Sequence, residues 1–330
     1  MDKNILLSII IPVYNSDLYI KKLIESIITQ SISFNIEVIV VNDGSYDETV
    51  NIVNKLILKD SRIKILHQAN QGAPKARNYG LSHSNGKYVY FIDSDDCLEY
   101  DSLNKIYYYL SKFDPDLLLG SFDIIDNSEG VVENTHFKDC IFKESKKIVS
   151  QLENISPMPG NKIISRKLLN ENDIWFSDVK IGQDLNFYLK YLPFCKNVVI
   201  TSDILYNYYI RKNSISRTYS GTIVDIIDSI EEAQKFIESK NLTFKPNWDN
   251  IKLRNYYLQY SKIPLIENNE DRILTADLLY SNIKKIDLKS VDKEKNNILL
   301  KKLTVKSHLH WLYKSTIYSF LIRSINNLNR

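Results

Sequence analysis

Cysteine, glycine and proline are scarce in this sequence: its 330 residues include 3 Cys, 9 Gly and 8 Pro. The cysteines (Cys97, Cys140 and Cys195) are odd in number and far apart. This disfavours a disulfide framework and indicates a reducing, cytoplasmic location. The glycine-rich fingerprints that bind phosphates and dinucleotides are also missing. We therefore do not expect an ATPase or a nicotinamide-dependent enzyme.

Long apolar runs are missing as well. No segment of the sequence approaches the roughly 18 apolar residues that a membrane-spanning helix requires. The first apolar run, residues 5–13, has no small-residue cleavage site after it. This run therefore predicts a buried first strand and not a signal peptide.

Acidic residues are missing from the end of the chain. The net charge is +3, but no Asp or Glu follows Glu294, whereas seven basic residues do: Lys295, Lys301, Lys302, Lys306, Lys314, Arg323 and Arg330. This basic tail, residues 295–330, also has many apolar and aromatic residues. It is typical of a helix on an anionic membrane surface, or of a helix docked on the body with a solvated lysine face.

The first hundred residues alternate between strand and helix patterns. Apolar runs rich in β-branched and aromatic residues predict buried parallel strands, with amphipathic helices between them. The strands are predicted at 8–13, 37–42, 63–67 and 88–92, and the helices at 18–28, 47–58 and 74–82. Later patterns predict strands at 117–122 and 198–201 and helices at 184–192, 223–239, 251–260, 270–283 and 308–325. We expect an α/β domain with a mostly parallel sheet, residues 1–220, followed by a helical region, residues 221–330.

Polar side chains follow three of these strands, at the edge where open α/β sheets bind their ligands. Asn15 comes after the first strand, Asp43 after the second, and the cluster Asp93-Ser94-Asp95-Asp96 after the fourth. This convergence predicts one ligand site built from three strand ends. Because the site is acidic and no nucleic-acid-binding motif is present, a nucleic-acid partner is not expected.

The aspartate cluster is the strongest of these signals. Residues i and i+2 leaving a strand project to the same side, so Asp93 and Asp95 can face one site. Neighbouring carboxylates repel each other, and a hard divalent cation such as Mn²⁺ or Mg²⁺ relieves the repulsion through oxygen coordination. The alternative is a solvated acidic turn that caps a helix starting near Leu98.

Asp43 and Arg77 each allow two interpretations. Asp43 could accept a hydrogen bond from a base or a ribose at the sheet edge, or it could form an Asx turn. Arg77 could bind phosphates, whose geometry matches a guanidinium, or it could lie on the surface of a helix.

Together these motifs resemble glycosyltransferase family 2. The resemblance is carried in order by SIIIPVYN at 8–15, NDGS at 42–45, QG at 71–72, ARNYG at 76–80 and FIDSDD at 91–96. It continues through NK at 161–162, GQD at 182–184 and residues 211–215. It implies a GT-A fold, a Rossmann-like sheet flanked by helices. It also implies an inverting transfer of a sugar from a nucleoside-diphosphate donor, most often a UDP-sugar, to a hydroxyl.

The resemblance also implies roles for individual residues. Pro12 and Tyr14 would flank the base, and Asp43 would accept a hydrogen bond from the uracil N–H. Arg77 would assist near the base or phosphates, and Asp93 would lie near the ribose or donor sugar. Five further positions match: Asp95, which would ligate Mn²⁺ or Mg²⁺, and Asp96, Asn161, Lys162 and Arg211 as additional site residues.

An inverting transfer needs a base on the face opposite the leaving diphosphate, which deprotonates the acceptor hydroxyl. Asp184 is the candidate that the resemblance implies, and Asp178 is the second candidate. Asp184 could instead only cap its helix.

The expected enzyme is a hexosyl- or N-acetylhexosaminyltransferase that acts on a glycan or lipid-linked acceptor in capsule, exopolysaccharide or lipopolysaccharide assembly. It would be cytoplasmic or peripheral on the inner face of the cell membrane. Two other functions stay open: a nucleotide-sugar-binding partner subunit without transferase activity, and a metal-dependent phosphohydrolase.

Overall fold

The computed structural model describes residues 5–126, 130–153, 155–210 and 220–292, together with Asn296. This part of the chain divides into two compact units. The first contains residues 5–126, 130–148, 156–178 and 191–210, and the second contains 149–153, 155, 179–190 and the described residues from 220 onward. The domain boundary expected at residue 220 stays a prediction.

The described residues of the first unit form one mixed sheet. Its strands are β1 (Leu7–Val13), β2 (Ile36–Asn42), β3 (Ile63–His67), β4 (Tyr88–Phe91), β5 (Cys97–Leu98), β6 (Leu117–Asp126), β7 (Gly130–Thr135), β8 (Cys140–Phe142), β9 (Lys162–Ser165) and β10 (Val198–Ile210). They lie in the order β3-β2-β1-β4-β9-β6-β10-β5, with β7 beside β6 and β8 beside β10. β1 to β4 are parallel, and β9 is antiparallel to both of its neighbours.

Helices connect the strands and make up much of the second unit. They are α1 (Ile20–Ile28), α2 (Thr49–Ile57), α3 (Ala73–Ser82), α4 (Ser102–Phe113), α5 (Ser145–Leu152), α6 (Arg166–Glu171), α7 (Gln183–Tyr191), α8 (Asp225–Glu238), α9 (Trp248–Lys262) and α10 (Asn269–Lys284). The α/β architecture with a mostly parallel sheet and flanking helices is thus confirmed. The predicted helix at 308–325 lies outside the described residues.

The core of the first unit follows from the apolar runs and stripes of the sequence. Every residue of β1 and β2 is buried, as expected for strands covered on both faces. α1 buries the stripe Ile20, Leu23, Ile24 and Ile27 in the same core. The four leading strands therefore form a rigid base for the loops that leave their carboxyl ends.

A separate apolar core holds the second unit together. Buried side chains from its helices pack in one cluster, which includes Ile226, Ile230, Ile251, Tyr256 and Leu279. No helix within the described ranges is long and apolar enough to span a membrane.

A buried carboxylate braces the sheet at the opposite end from the strand carboxyl termini. Glu37, near the start of β2, accepts hydrogen bonds from Ser8 Oγ at 2.6 Å, Asn85 N at 2.6 Å and Lys64 Nζ at 2.8 Å. Burial alone would raise the pKa of Glu37, but the bonds from Lys64, Ser8 and Asn85 outweigh it and lower this pKa. Folding therefore favours the ionised carboxylate.

We expect Glu37→Gln to unfold more easily than the wild type at pH 7, by about 1–3 kcal/mol, because it loses a charge-assisted network. Because the pKa of Glu37 is lower in the folded than in the unfolded protein, its ionised carboxylate stabilises the fold at pH values above the unfolded-state pKa. This stabilisation is lost as the pH falls through the folded-state pKa. Urea unfolding at pH 7 and near pH 3 should thus show a smaller acid-induced loss of stability in Glu37→Gln. Glu48→Gln, an exposed position, is the control and should match the wild type at both values.

Candidate functional site

The loops that follow β1, β2 and β4 meet at one edge of the sheet and are joined by side-chain hydrogen bonds. Asn15 N donates to Ser45 Oγ at 3.0 Å and Tyr46 N donates to Asn15 Oδ1 at 3.1 Å, which links the first two loops. The hydroxyls of Ser16 and Ser94 lie 2.8 Å apart and link the first loop to the aspartate cluster. The structure thus brings three strand ends together at one rim.

Asp43 holds the segment between β3 and α3 against this rim. Its Oδ1 accepts from Gln68 Nε2 and Gln71 N, and its Oδ2 accepts from Gly72 N, each at 2.8 Å. The residue is 3% exposed. Since a carboxylate oxygen offers two lone pairs, Oδ2 retains acceptor capacity after the bond from Gly72. The Asx-turn interpretation from the sequence did not anticipate this link to residues 68–72.

Arg77 reaches the aspartate cluster from α3. It is buried, and its guanidinium pairs with Asp93 Oδ1 at 2.6 Å. The guanidinium also lies over the ring of Phe176, 5.2 Å from the centroid. Gly80 lets α3 approach the sheet, because a Cβ at this position would come within 2.5 Å of Ile10 Cγ2. Arg77 is therefore a buried rim residue and not a surface arginine.

The aspartate cluster forms a turn that is held from several directions. Asp96 is 3% exposed, and its Oδ1 accepts from Tyr209 N at 3.1 Å. Burial, and next the charge of Asp93, raise the pKa of Asp96 well above its ordinary value, although hydrogen bonds from Tyr209 and Tyr206 oppose the shift. Asp93 and Asp95 are partly exposed.

The helix-capping interpretation of this turn is wrong. Leu98 lies in the short strand β5, which pairs with β10, and α4 begins only at Ser102. Among the described residues, no three His, Cys, Asp or Glu side chains cluster as a metal site. The two partly exposed carboxylates, Asp93 and Asp95, nevertheless supply the hard oxygen donors that Mn²⁺ and Mg²⁺ prefer.

Two tyrosines stand at the rim beside the predicted base-binding residues. Pro12 is buried within β1, whereas Tyr14 is 46% exposed just beyond its end. The ring of Tyr46 meets that of Tyr14 edge-on, with centroids 6.1 Å apart. Sequence reasoning missed Tyr46, although its position directly after Asn42–Ser45 was an available signal.

Asn161 and Lys162 are buried in a hydrogen-bond network away from solvent. Lys162 Nζ donates to Ser156 O at 2.6 Å, Met158 O at 2.7 Å and Asn161 Oδ1 at 2.8 Å. Asn161 Nδ2 donates to the carbonyl of Gly120 at 3.1 Å. Both side chains hold the segment before β9 in place, and a direct contact with a ligand stays a prediction. Arg211 lies outside the described residues.

Asp184 lies in the second unit, in the first turn of α7. Gly182 precedes the helix with a φ of 81°, and a Cβ there would come within 2.6 Å of Ile226 Cδ1. The carbonyl of Gly182 accepts hydrogen bonds from Asn186 N at 2.8 Å and Ser229 Oγ at 2.7 Å. The start of α7 is therefore anchored on α8, and the backbone position of Asp184 with it.

Comparison with known proteins identifies the family of the chain. The family model for Glycosyl transferase family 2 matches residues 8–172, which includes the loops after β1, β2 and β4 and all of α3. The chain belongs to glycosyltransferase family 2. The family resemblance found in the sequence motifs is thereby confirmed.

Two similar proteins come from Streptococcus pneumoniae and Staphylococcus aureus. Glycosyltransferase GlyA from Streptococcus pneumoniae is 34% identical over 222 residues, 65% of this chain and 32% of GlyA. Poly(ribitol-phosphate) beta-N-acetylglucosaminyltransferase TarS from Staphylococcus aureus is 33% identical over 210 residues, 61% of this chain and 35% of TarS. The chain therefore spans about a third of the length of either relative.

Solved structures match the fold over 70% to 99% of this chain. The structure of S. aureus TarS 1–349 in complex with UDP-GlcNAc matches with a TM-score of 0.73 and 24% identity, covering 99% of this chain and 93% of that one. A second match is GalNAc-T7 with UDP, GalNAc and Mn²⁺, with a TM-score of 0.54 and 14% identity, covering 70% of this chain and 48% of that one. These matches confirm the GT-A fold.

Proposed function

We propose that this chain transfers a sugar with inversion from a UDP-sugar, held through Mn²⁺ or Mg²⁺, to a hydroxyl of a glycan or lipid-linked acceptor. The observation that carries the proposal is the rim itself. Loops from three strand ends and helix α3 are tied together by short hydrogen bonds and by the Arg77–Asp93 ion pair. A nucleoside diphosphate needs such a mixture of flat ring, acceptor, guanidinium and carboxylate groups at one edge.

In the proposed complex, different residues of the rim bind different parts of the donor. Tyr14 would stack on the base, and the remaining acceptor capacity of Asp43 Oδ2 suits the imide N–H of uracil. Asp93 would orient the ribose or the donor sugar, while Arg77 holds Asp93 and keeps a positive charge beside the phosphates. UDP-GlcNAc bound to TarS and UDP bound to GalNAc-T7 support a uridine nucleotide.

Asp95 would hold the cation in this scheme. A bound divalent cation neutralises the diphosphate and stabilises it as a leaving group. The Mn²⁺ in the GalNAc-T7 structure supports this assignment, as do the oxygen donors of the turn at residues 93–96.

Asp184 is the proposed catalytic base. As the bond between the anomeric carbon and the diphosphate oxygen breaks, the acceptor oxygen bonds to that carbon from the opposite face. The proton of the acceptor hydroxyl passes to the Asp184 carboxylate, and UDP leaves. Support comes from the resemblance of GQD at 182–184 to the family's motif, which more often has Glu at the position of Gln183. The second candidate, Asp178, forms an ion pair with Lys75 at 2.9 Å.

The donor sugar, the acceptor and the cellular location are part of the same proposal. The name of TarS, a poly(ribitol-phosphate) beta-N-acetylglucosaminyltransferase, supports an N-acetylhexosaminyl donor and a polymer as acceptor. Since the three widely spaced cysteines indicate a reducing compartment, we propose a cytoplasmic enzyme. Contact of the basic tail with an anionic membrane concerns residues outside the described ranges and stays a prediction.

A screen of nucleotide sugars tests the proposal. We expect one UDP-sugar to raise the unfolding temperature of the chain only when Mn²⁺ or Mg²⁺ is present, because a ligand that binds the folded state stabilises it. Incubation of the protein with the same UDP-sugar and a glycan or lipid-linked acceptor should then release UDP. A partner subunit would show the protection without UDP release, and a phosphohydrolase would release inorganic phosphate; either result would contradict the proposed transfer.

A further inference from the structure

The turn that carries Asp95 is held by hydrogen bonds to the residues on both sides of it. Asp93 is fixed by the ion pair with Arg77 at 2.6 Å. Asp96 is fixed by the hydrogen bond from Tyr209 N at 3.1 Å. Between these two anchors, Ser94 has a side-chain contact of its own, with Ser16, which is 78 residues away in sequence.

Ser16 is a rigid anchor for Ser94. It is 5% exposed, and its main-chain N–H donates to Thr49 Oγ1 at 2.7 Å. Thr49 is fully buried at the start of α2. Ser16 therefore cannot move without disturbing both the loop after β1 and the N-terminus of α2.

The Ser16 hydroxyl contacts the backbone of Tyr14 as well as Ser94. Ser16 Oγ lies 3.3 Å from the carbonyl of Tyr14, which can only accept, so the Ser16 hydroxyl donates there. In that arrangement Ser16 accepts in the 2.8 Å contact and Ser94 donates, although either hydroxyl of this pair can be the donor. A chain of hydrogen bonds thus runs from Ser94 through Ser16 to the backbone of Tyr14.

We propose that this Ser94–Ser16–Tyr14 chain sets the position of Asp95 for the divalent cation and links the base end of the donor site to the cation end. The inference rests on the proposed nucleotide-sugar function. Ser94 and Ser16 are positioning residues here. They act through the turn and through the loop after β1, and neither needs to touch the donor.

The test compares Ser94→Ala, Ser16→Ala and the double variant in the full-length protein. Mn²⁺ is titrated in the presence of UDP and followed by the electron paramagnetic resonance signal of free Mn²⁺, so the readout does not depend on turnover. We expect each single variant to need about five- to tenfold more Mn²⁺ for half-saturation, the effect of losing one ordinary hydrogen bond. The double variant should be no worse than Ser16→Ala, because Ser16→Ala already removes the interaction that Ser94→Ala loses.

Three controls separate positioning from general damage to the fold. Ser94→Thr keeps a hydroxyl and should recover most of the Mn²⁺ affinity. Ser82→Ala removes a hydroxyl on the exposed side of α3 and should behave as the wild type. Uridine, which has no phosphates, should bind Ser94→Ala with unchanged affinity, and the melting temperatures of all variants should stay within about 2 °C of the wild type.

The outcomes distinguish this inference from the proposed function. If the wild type binds UDP and Mn²⁺ together but Ser94→Ala shifts the Mn²⁺ half-saturation by less than twofold, the positioning role is wrong and the function stands. Effects of Ser94→Ala and Ser16→Ala that multiply in the double variant would also overturn it. If the wild type binds no UDP with Mn²⁺, both proposals fail together.

Discussion

Asp184→Asn should lower transferase turnover by about 10²–10⁴-fold, the usual contribution of a general base, while donor binding stays intact. The amide keeps the size and hydrogen-bonding shape of the side chain but cannot take the acceptor proton. Since donor contacts are assigned to the first unit, the affinity for UDP and Mn²⁺ should change by less than twofold. The measurement is initial-rate turnover at saturating donor, beside a binding titration of UDP.

Asp228→Asn is the matched control for this variant. Asp228 is also an acid in the first turn of a helix of the second unit, α8, and it is exposed. Both substitutions therefore remove the same favourable interaction with a helix N-terminus. Asp228→Asn should retain full turnover. If the two variants lose the same small amount of activity, Asp184 only stabilises its helix, and Asp178 becomes the candidate base.

Asp95→Asn should remove the cation-dependent part of catalysis. A metal that stabilises a leaving diphosphate contributes several kcal/mol, so we expect turnover to fall by about a thousandfold or more. Unlike Asp184→Asn, this variant should also lose protection by the donor against thermal unfolding. Turnover measured over a range of Mn²⁺ concentrations should show a loss that added Mn²⁺ does not restore.

Asp101→Asn provides a comparison within the same segment of the chain. Asp101 is a partly buried carboxylate shortly after the turn, with a φ of 57° that Asn also tolerates. Its removal changes the charge near the turn without touching the proposed ligands. Turnover and Mn²⁺ dependence should match the wild type; an equal loss in both variants would mean that Asp95 acts only through the local field.

The leading half of the fold could be predicted closely from the sequence. Predicted and observed strands agree to within one residue at each end for β1 to β4, because their apolar runs are flanked by polar residues and turns. Since parallel strands end at a common edge, the placement of Asp43 and of the aspartate turn at the same edge of the sheet also followed from the pattern.

The ends of the longer strands β6 and β10 could not be predicted from the sequence. β6 was expected to end at Phe122, yet it continues through Asp123 to Asp126, because β7 and β10 pair with these residues. β10 was expected to end at Thr201, where its register with β6 shifts before the strand resumes. A bulge interrupts the apolar pattern without ending the strand.

The side-chain contacts of the rim could not be predicted, because they join residues that are distant in sequence. Nothing near Ser94 indicates that its partner is Ser16, and nothing near Asp43 indicates that its carboxylate binds Gly72. Lys162 was expected at a ligand site because the motif contains it, while its burial depends on carbonyls of residues 156–158 that turn toward it.

Titration calorimetry of UDP, with and without Mn²⁺, measures most directly whether the rim binds a diphosphate through a cation. For the wild type we expect Mn²⁺ to tighten UDP binding at least tenfold, about 1.4 kcal/mol. For Asp95→Asn the same titrations should give equal, weak affinities with and without the metal. An unchanged affinity of the wild type on adding Mn²⁺, or the same tightening in Asp95→Asn, would contradict a cation held by Asp95 at this rim.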